Sequence, residues 1–397
     1  MAAHTPTDLV ITGGRVVDPA NGVDRVTDIA IQDGRIAAVG DDLPVGPAMK
    51  VVDARGLLVT PGLIDIHVHV YHTREPEGLS VIADHHSFRS GVTTVVDTGT
   101  AGANHFLHFK RTVIDQSKTR IFAFVNVVKS GMIGPFEHDP AEMDPEQAAG
   151  TVLAYPEICV GIKTAHYWTH APFDEAHTPW LSVDRGIESA RLCRKPLMVD
   201  FFPRPERPYD ELLRKMSPGD IHTHVFAQQF PVLDERGRPN RCYQEARERG
   251  IVFDLGHGAG SFWFRNAIPC FRQGFYPDSI STDIHKDSIN GPVFSMVKTM
   301  SKMLAIGMSM EDVIEKSTAA PAREIGHPEL GTLTVGSDAD VALLRVDDGE
   351  FAYFDCAKVR VKAQQEIACA MTIRAGEIVY DENALSMEDW IDAPETR

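Results

Sequence analysis

Between Leu63 and Asp283 short, β-branched apolar runs return about every 30 residues with helical segments between them, the rhythm of βα units. The runs are Leu63 to Val68, Val92 to Asp97, Ile121 to Val127, Ile158 to Lys163, Leu197 to Asp200, Asp220 to Val225, Ile251 to Leu255 and Ser279 to Asp283. Eight such units predict an α/β fold closed as a (β/α)8 TIM-type barrel. Helices are expected from Leu79 to Ser90, Ser182 to Cys193, Tyr209 to Lys215 and Gly291 to Ile306. The acidic, proline-broken stretch from Glu137 to Ala149 reads as a longer excursion after the third strand.

The two ends have a different character. Leu9 to Val59 reads as short alternating strands broken by turns, with Asp33-Gly34 as a tight-hairpin signal, and Ala339 to Tyr380 reads alike. Both termini are therefore expected to build one small composite β-sandwich domain, residues 1–60 with 335–397, around a barrel of residues 61–334. The acidic end from about Asn383 is expected to fray.

Composition narrows the partners. A net charge of −17 repels a phosphate backbone, and no basic stripe interleaved with aromatics offsets it, so nucleic acid is excluded. No apolar run is long enough to cross a bilayer and the first residues carry no basic n-region, which predicts a cytoplasmic protein with no membrane partner. The six cysteines lack any Cys-x-x-Cys spacing and are expected to be reduced and mostly buried.

Catalytic residues of such barrels lie at the C-terminal ends of the strands. Those ends read His67 and His69, Asp97, Lys129, Lys163, Asp200, His224, His257 and Asp283. Two histidines on one strand are commonplace, but groups able to bind metal at most of eight strand ends have no reason to exist in a purely structural barrel. Alternation along the first strand puts Leu63, Asp65, His67 and His69 on one face, so both imidazoles can meet one ion, and neutral imidazole suits zinc and its first-row neighbours.

These residues carry a resemblance. Pro61-Gly-Leu-Ile-Asp-Ile-His67-Val-His69, Gly91-Val-Thr-Thr-Val-Val-Asp97, Gly161-Ile-Lys163, Thr223-His224, Ser281-Thr-Asp283, Ala319-Ala-Pro321-Ala-Arg and Gly331-Thr-Leu-Thr-Val-Gly336-Ser-Asp-Ala-Asp340 together resemble the amidohydrolase superfamily. Asp254-Leu-Gly256-His257-Gly-Ala-Gly260-Ser and the stretch from Gly274 to Asp283 look like its dihydroorotase-like branch of amidohydrolases and deacetylase-type metallohydrolases. The resemblance implies two divalent ions, commonly zinc, bridged by an N6-carboxylysine at Lys163 and by a hydroxide. It implies that His67, His69 and Asp283 hold the more buried ion and His224 the more exposed one. Asp283 would also be the catalytic proton shuttle, taking a proton from the hydroxide and giving it to the leaving group. A lysine ending an apolar strand loses its proton readily, and only the neutral amine adds carbon dioxide. An ordinary buried ion pair, with Asp200 for instance, is the alternative for Lys163.

Asp200 is a departure, because the family has a histidine at the end of strand five. Either the carboxylate replaces the imidazole as a ligand or the second ion is weak or missing. Lys129 is expected to face substrate or solvent. His222 should share the face of His224 and compete with it, with a buried structural role as the favoured outcome. The glycine-rich loop at His257 lacks the Lys-Ser/Thr of a phosphate-binding loop, so His257 is assigned to substrate or to a supporting carboxylate.

Tyr71, His257, Arg265 and His285 form the substrate-binding set, with Arg204, Trp168 and Trp263 as further loop residues for an anionic or aromatic substrate. A dihydroorotase has an arginine two residues beyond its His-x-His, where this chain has Tyr71 and, further on, Arg74. The expectation is a hydrolase in which a metal-bridging hydroxide attacks the carbonyl of an N-acyl amide or ester of a small organic acid. A cyclic amidase is the alternative, followed by a deaminase or a non-hydrolytic metal-binding barrel. The partners expected are a small-molecule substrate and, because barrels of this family are often oligomeric, further copies of the chain.

Overall fold

A computed structural model describes residues 9–45, 49–72, 78–165 and 167–391. At its centre, seven parallel strands run side by side in sequence order: Leu63–Val68, Val92–Gly102, Arg120–Asn126, Cys159–Thr164, Leu197–Val199, Ile221–His222 and Val252–Phe253. The eighth expected run forms no strand, yet it closes the ring. Single parallel bridges join Ser279 to Asp254 on one side and Ile284 to Val68 on the other. Backbone bonds reinforce both seams: His257 N–H donates to Ser281 O at 3.2 Å and Asp283 N–H donates to His67 O at 2.7 Å. The fold is a (β/α)8 TIM-type barrel.

The later strands are shorter than the apolar runs suggested, for a backbone reason. His224 (φ 62°), Gly256 (φ 47°) and Asp283 (φ 47°) all adopt the left-handed conformation, which cannot continue a strand. Each therefore ends its ladder where the site begins. Inside the barrel Ile64, Ile66, Val96, Phe122, Phe124, Val160, Met198 and Ile221 pack into one cluster, joined by Ala322, Ile325 and Leu330.

Helices Leu181–Cys193 and Tyr209–Lys215 lie where expected. The helix expected from Leu79 is cut to Ala83–Ser87 with a 3-10 turn Phe88–Ser90. The one expected from Gly291 begins only at Met296, because Ser295 caps it by accepting the Lys298 N–H at 3.3 Å. The excursion after the third strand holds two 3-10 turns, then helix Pro145–Ala154, capped by Asp144.

Strands from both ends of the chain share a six-stranded sheet in the order Glu377–Asp381, Arg360–Arg374, Val341–Phe354, Leu58–Pro61, Arg15–Asp18, Val23–Val26. A four-stranded sheet, Arg35–Gly40, Asp28–Gln32, Leu9–Thr12, Lys50–Asp53, faces it across a core that includes Ile11, Ile29, Val59, Val341, Leu343 and Ile373. The hairpin of Val341–Phe354 and Arg360–Arg374 reaches back to the barrel, where its turn binds the loop after the seventh strand: Phe264 N–H donates to Asp355 Oδ2 at 2.8 Å and Cys356 N–H to Phe262 O at 3.1 Å.

Part of the end expected to fray is tied down, since Leu385 and Ser386 N–H both donate to the Asp381 carboxylate. Residues 392–397 lie outside the described residues. All six cysteines are free thiols, Cys159, Cys193, Cys270 and Cys369 buried and Cys242 and Cys356 half-buried. Among the described residues no helix is long and apolar enough to cross a membrane.

Candidate active site

The strand ends open on a cavity of about 380 Å3 that His67, His69, Lys163, Asp200, His224, Asp283 and His285 line together. Leu79, Met132, Phe202, Gln229 and the loop Ala259–Ser261 complete its wall. All six residues expected to bind metal are thus brought to one place from four strand ends and the closing segment.

The histidines enter by a different route from simple alternation. Ile64 and Ile66 face the barrel interior, whereas Leu63 packs in the outer core, and the pairing with the second strand shifts register between Asp65 and Val68. This irregularity lets His67 and His69 turn into the cavity, and the face expected to hold Leu63, Asp65, His67 and His69 is not kept. Two buried carboxylates brace it. Asp65 accepts from Thr282 N–H (3.0 Å) and Thr282 Oγ1 (2.6 Å), tying the first strand to the closing segment. Asp97 accepts from Val70 N–H (2.8 Å), Tyr71 N–H (3.2 Å) and Thr100 N–H (2.9 Å), so it is a backbone staple and not a ligand. Burial raises the Asp97 carboxyl and pushes Asp65 up to about 7.

Each strand-end imidazole is held by Nδ1 and presents Nε2. His224 Nδ1 lies 2.6 Å from Gly256 O, and a carbonyl can only accept, so Nδ1 carries a proton and, in the neutral ring, Nε2 a lone pair. His67 Nδ1 meets Thr223 Oγ1 at 2.8 Å and His69 Nδ1 meets Thr100 Oγ1 at 2.7 Å. On the cavity side, Asp283 Oδ1 is 3.1 Å from His69 Nε2 and 3.6 Å from His67 Nε2, while His224 Nε2 is 3.6 Å from Asp200 Oδ2. Ligand atoms of His67, His69 and Asp283 lie within 4.8 Å of one another, a span that one cation can bridge.

The field in the cavity differs from group to group. Burial, then the Lys163 cation, pushes His67 down to about 4, so it is neutral at pH 7. Burial opposes the charge on His224 as well, but Asp200 outweighs it and raises this imidazole. Asp283 is held well below the usual carboxylate range: burial would raise it, and His67, His69 and His224 prevail. Glycine is required nearby, since a Cβ on Gly258 (φ 54°) would stand 2.3 Å from Asp283 Oδ2.

The expected substrate-binding set divides. His285 lines the cavity, its ring 6.2 Å from that of His69. Tyr71 does not, because its hydroxyl turns to His108 Nδ1 at 2.9 Å. Arg265 is exposed on helix Phe264–Phe271 and is not among the lining residues. His257 is fully buried, with Nδ1 3.0 Å from Gly258 O and Nε2 2.8 Å from Lys302 Nζ, so it supports the loop instead of touching substrate. His222 does not share the face of His224; the left-handed turn at His224 leaves it among Tyr209, Phe230 and Phe253, where burial pushes it down to about 3. Arg204 is spent on Phe173 and the carbonyls of Trp168 and Ala171, Trp168 stacks on His177, and Trp263 donates to Gly260 O. Lys129 is not among the lining residues, and Arg74 lies outside the described residues.

Lys302 is a buried cation that sequence inspection passed over. Its Nζ donates to Pro292 O at 2.5 Å, and burial pushes it down to about 7 from an ordinary 10.5. The unfolded chain therefore binds one more proton here between about pH 7 and 10, and this lysine's contribution to stability rises with pH across that window. The stability of the wild type minus that of Lys302→Met is expected to grow by about 1 kcal/mol per pH unit from pH 7.5 to 9. Paired denaturant titrations check it, and a constant difference would show that the lysine titrates normally.

The comparisons agree with this architecture. The model of the Amidohydrolase family matches residues 264–379. A deacetylase of Brucella anthropi is 34% identical over 344 residues, covering 84% of this chain and 82% of that protein. Among solved structures, an adenine deaminase superimposes with a TM-score of 0.84 at 31% identity, covering 94% of this chain and 100% of that one. A dihydroorotase does so with a TM-score of 0.82 at 29% identity, covering 94% and 99%. One-third identity sustained over most of both chains, on a barrel whose strand ends converge as the motifs required, makes this chain a member of the amidohydrolase family.

Proposed function

We propose that the chain is a metal-dependent hydrolase of an N-acyl amide, or the corresponding ester, of a small organic acid. The observation that carries this reading is the convergence of the six expected ligands, the imidazoles of His67, His69 and His224, the carboxylates of Asp200 and Asp283 and the lysine Lys163, on a single cavity. The donor set suits zinc or a first-row neighbour: neutral imidazole nitrogen and carboxylate oxygen, with the imidazoles already held by Nδ1. His67, His69 and Asp283 would hold one ion, and His224 with Asp200 a second. Lys163, only 2% exposed, would bridge them once its neutral amine adds carbon dioxide, forming an N6-carboxylysine and releasing a proton. Divalent ions bound there supply Lewis acidity and water of lowered pKa.

The chain's own residues do the rest. Asp283 takes the proton of the attacking water and hands it to the departing nitrogen or oxygen as the carbonyl–heteroatom bond breaks. Leu79, Met132 and Phe202 give the cavity apolar walls, and Gln229, Ser261 and His285 offer polar groups to orient the substrate. The deacetylase relative favours a small acyl group such as acetyl.

Ring opening of a cyclic amide is the second reading, favoured by the likeness to the dihydroorotase structure. Against it stands Tyr71, which replaces the expected arginine and is turned toward His108. The test is turnover by the metal-loaded protein on N-acetyl amino acids, acetoxy acids, cyclic ureides and adenine. Hydrolysis confined to the acyl substrates is expected. Turnover of cyclic ureides alone, or of adenine alone, would replace this reading by the corresponding one.

A further inference from the structure

Behind His67 lies a carboxylate with no place in the mechanism. Asp254 is fully buried and does not line the cavity. Its Oδ1 accepts from Ser279 Oγ at 3.0 Å and its Oδ2 from Thr223 Oγ1 at 2.7 Å. A hydroxyl has one proton to give, and the carboxylate claims it. Thr223 Oγ1 therefore turns a lone pair toward His67 Nδ1, 2.8 Å away, and that nitrogen must carry the imidazole's single proton. Nε2 is left as a lone pair on the cavity side. Without Asp254 the same hydroxyl could donate to Nδ1, which would put the proton on Nε2 and block it as a ligand.

The backbone is shaped around this hydroxyl. A Cβ on Gly256 would stand 2.3 Å from Thr223 Oγ1, so the chain omits a side chain where the relay passes. His224, the other imidazole with an unambiguous proton, is served by a carbonyl, which needs no second partner to set its direction. At His67 a hydroxyl stands in that place, and a hydroxyl is directional only if something else takes its proton.

We propose that Thr223 and Asp254 are positioning residues that lock His67 in its Nδ1–H form and keep Nε2 available to a divalent ion. The inference rests on the metal-hydrolase reading. Its test uses cobalt(II) as the probe, titrated into chelator-stripped protein and followed by its visible absorption, in the wild type, Thr223→Val and Thr223→Ser. Loss of the hydroxyl in Thr223→Val is expected to weaken the tightest cobalt site by about 10- to 100-fold and to alter its spectrum, while Thr223→Ser stays within about threefold of the wild type.

Equal affinity in all three proteins would overturn the relay and leave the metal reading standing. A wild type that binds no cobalt would overturn both. Equal weakening in the serine and valine variants would show that the methyl group, by packing, does the work, and would also overturn the relay. Should Thr223→Val fail to fold, Asp254→Asn tests the same point. Its amide can donate to Thr223 Oγ1 and free the hydroxyl to point at His67, so the same 10- to 100-fold loss of affinity is expected; unchanged cobalt affinity would overturn the relay.

Discussion

Asp283→Asn is expected to lower kcat on the preferred acyl substrate by roughly 10²- to 10⁴-fold, the range in which a general acid–base contributes. Asparagine keeps the shape of aspartate, and it is among the few residues that tolerate the left-handed backbone found at this position (φ 47°). The fold and the braces around Asp65 and Thr282 should therefore survive. What is lost is the ability to hold a proton. In the native site Asp283 Oδ1 faces both His67 and His69 Nε2, and the neighbouring imidazoles hold the carboxyl ionised well below the usual range. It is thus an available base across neutral pH.

Kinetics should be read beside metal content by elemental analysis, because Asp283 is assigned two tasks. Near wild-type turnover would refute the proton role. A collapse of kcat with metal retained would isolate it from ligation, and a collapse with metal lost would assign the defect to binding.

How far the sequence reached can be judged from individual residues. The first five barrel strands were legible because their apolar runs bury both faces, a local property of the chain. The last three were placed correctly but read as too long, because their ends are set by left-handed backbone at His224, Gly256 and Asp283, which answers to tertiary contacts across the site. The same turn explains why equal spacing misled at His222 and His224: period two holds only while the strand continues.

The ligand candidates carried strong signals because metal chemistry restricts the side-chain types that can serve. Substrate contacts are not so restricted. Tyr71, Arg265 and His257 were plausible by type and near strand ends, yet each turns elsewhere, to His108, to the exposed face of its helix and to Lys302. Leu79, Met132 and Phe202 line the cavity from loops with no pattern to announce them. Asp254 and Thr223 stood inside motifs that were noticed, but nothing in a linear chain says that a threonine and a carboxylate 31 positions apart share a proton.

Lys163→Ala should be as damaging as the loss of Asp283, for an electrostatic reason. As an ammonium, Lys163 disfavours a further positive charge in the site: it pushes His67 down and opposes the pull of Asp200 on His224. A cation there would also repel any divalent ion. Carbon dioxide reverses the sign, since the carbamate is an anion with two oxygens to offer. On the proposed reading, removing the side chain would delete that bridge and leave the two proposed groups of ligands, His67 with His69 and Asp283, and His224 with Asp200, without a common anion.

Bound metal is therefore expected to fall from two ions per chain to one or fewer, and activity by roughly 10²- to 10⁴-fold, because Lewis-acid stabilisation is worth several kcal/mol. Reconstitution of the stripped wild type should quicken when bicarbonate is added, and that of Lys163→Ala should not. Were Lys163→Ala to keep both ions and its turnover, the ammonium would be the native state of this lysine. Asp200 would then be the anion that holds the second ion, and the chain's departure from its family at strand five would be the compensation for a missing bridge.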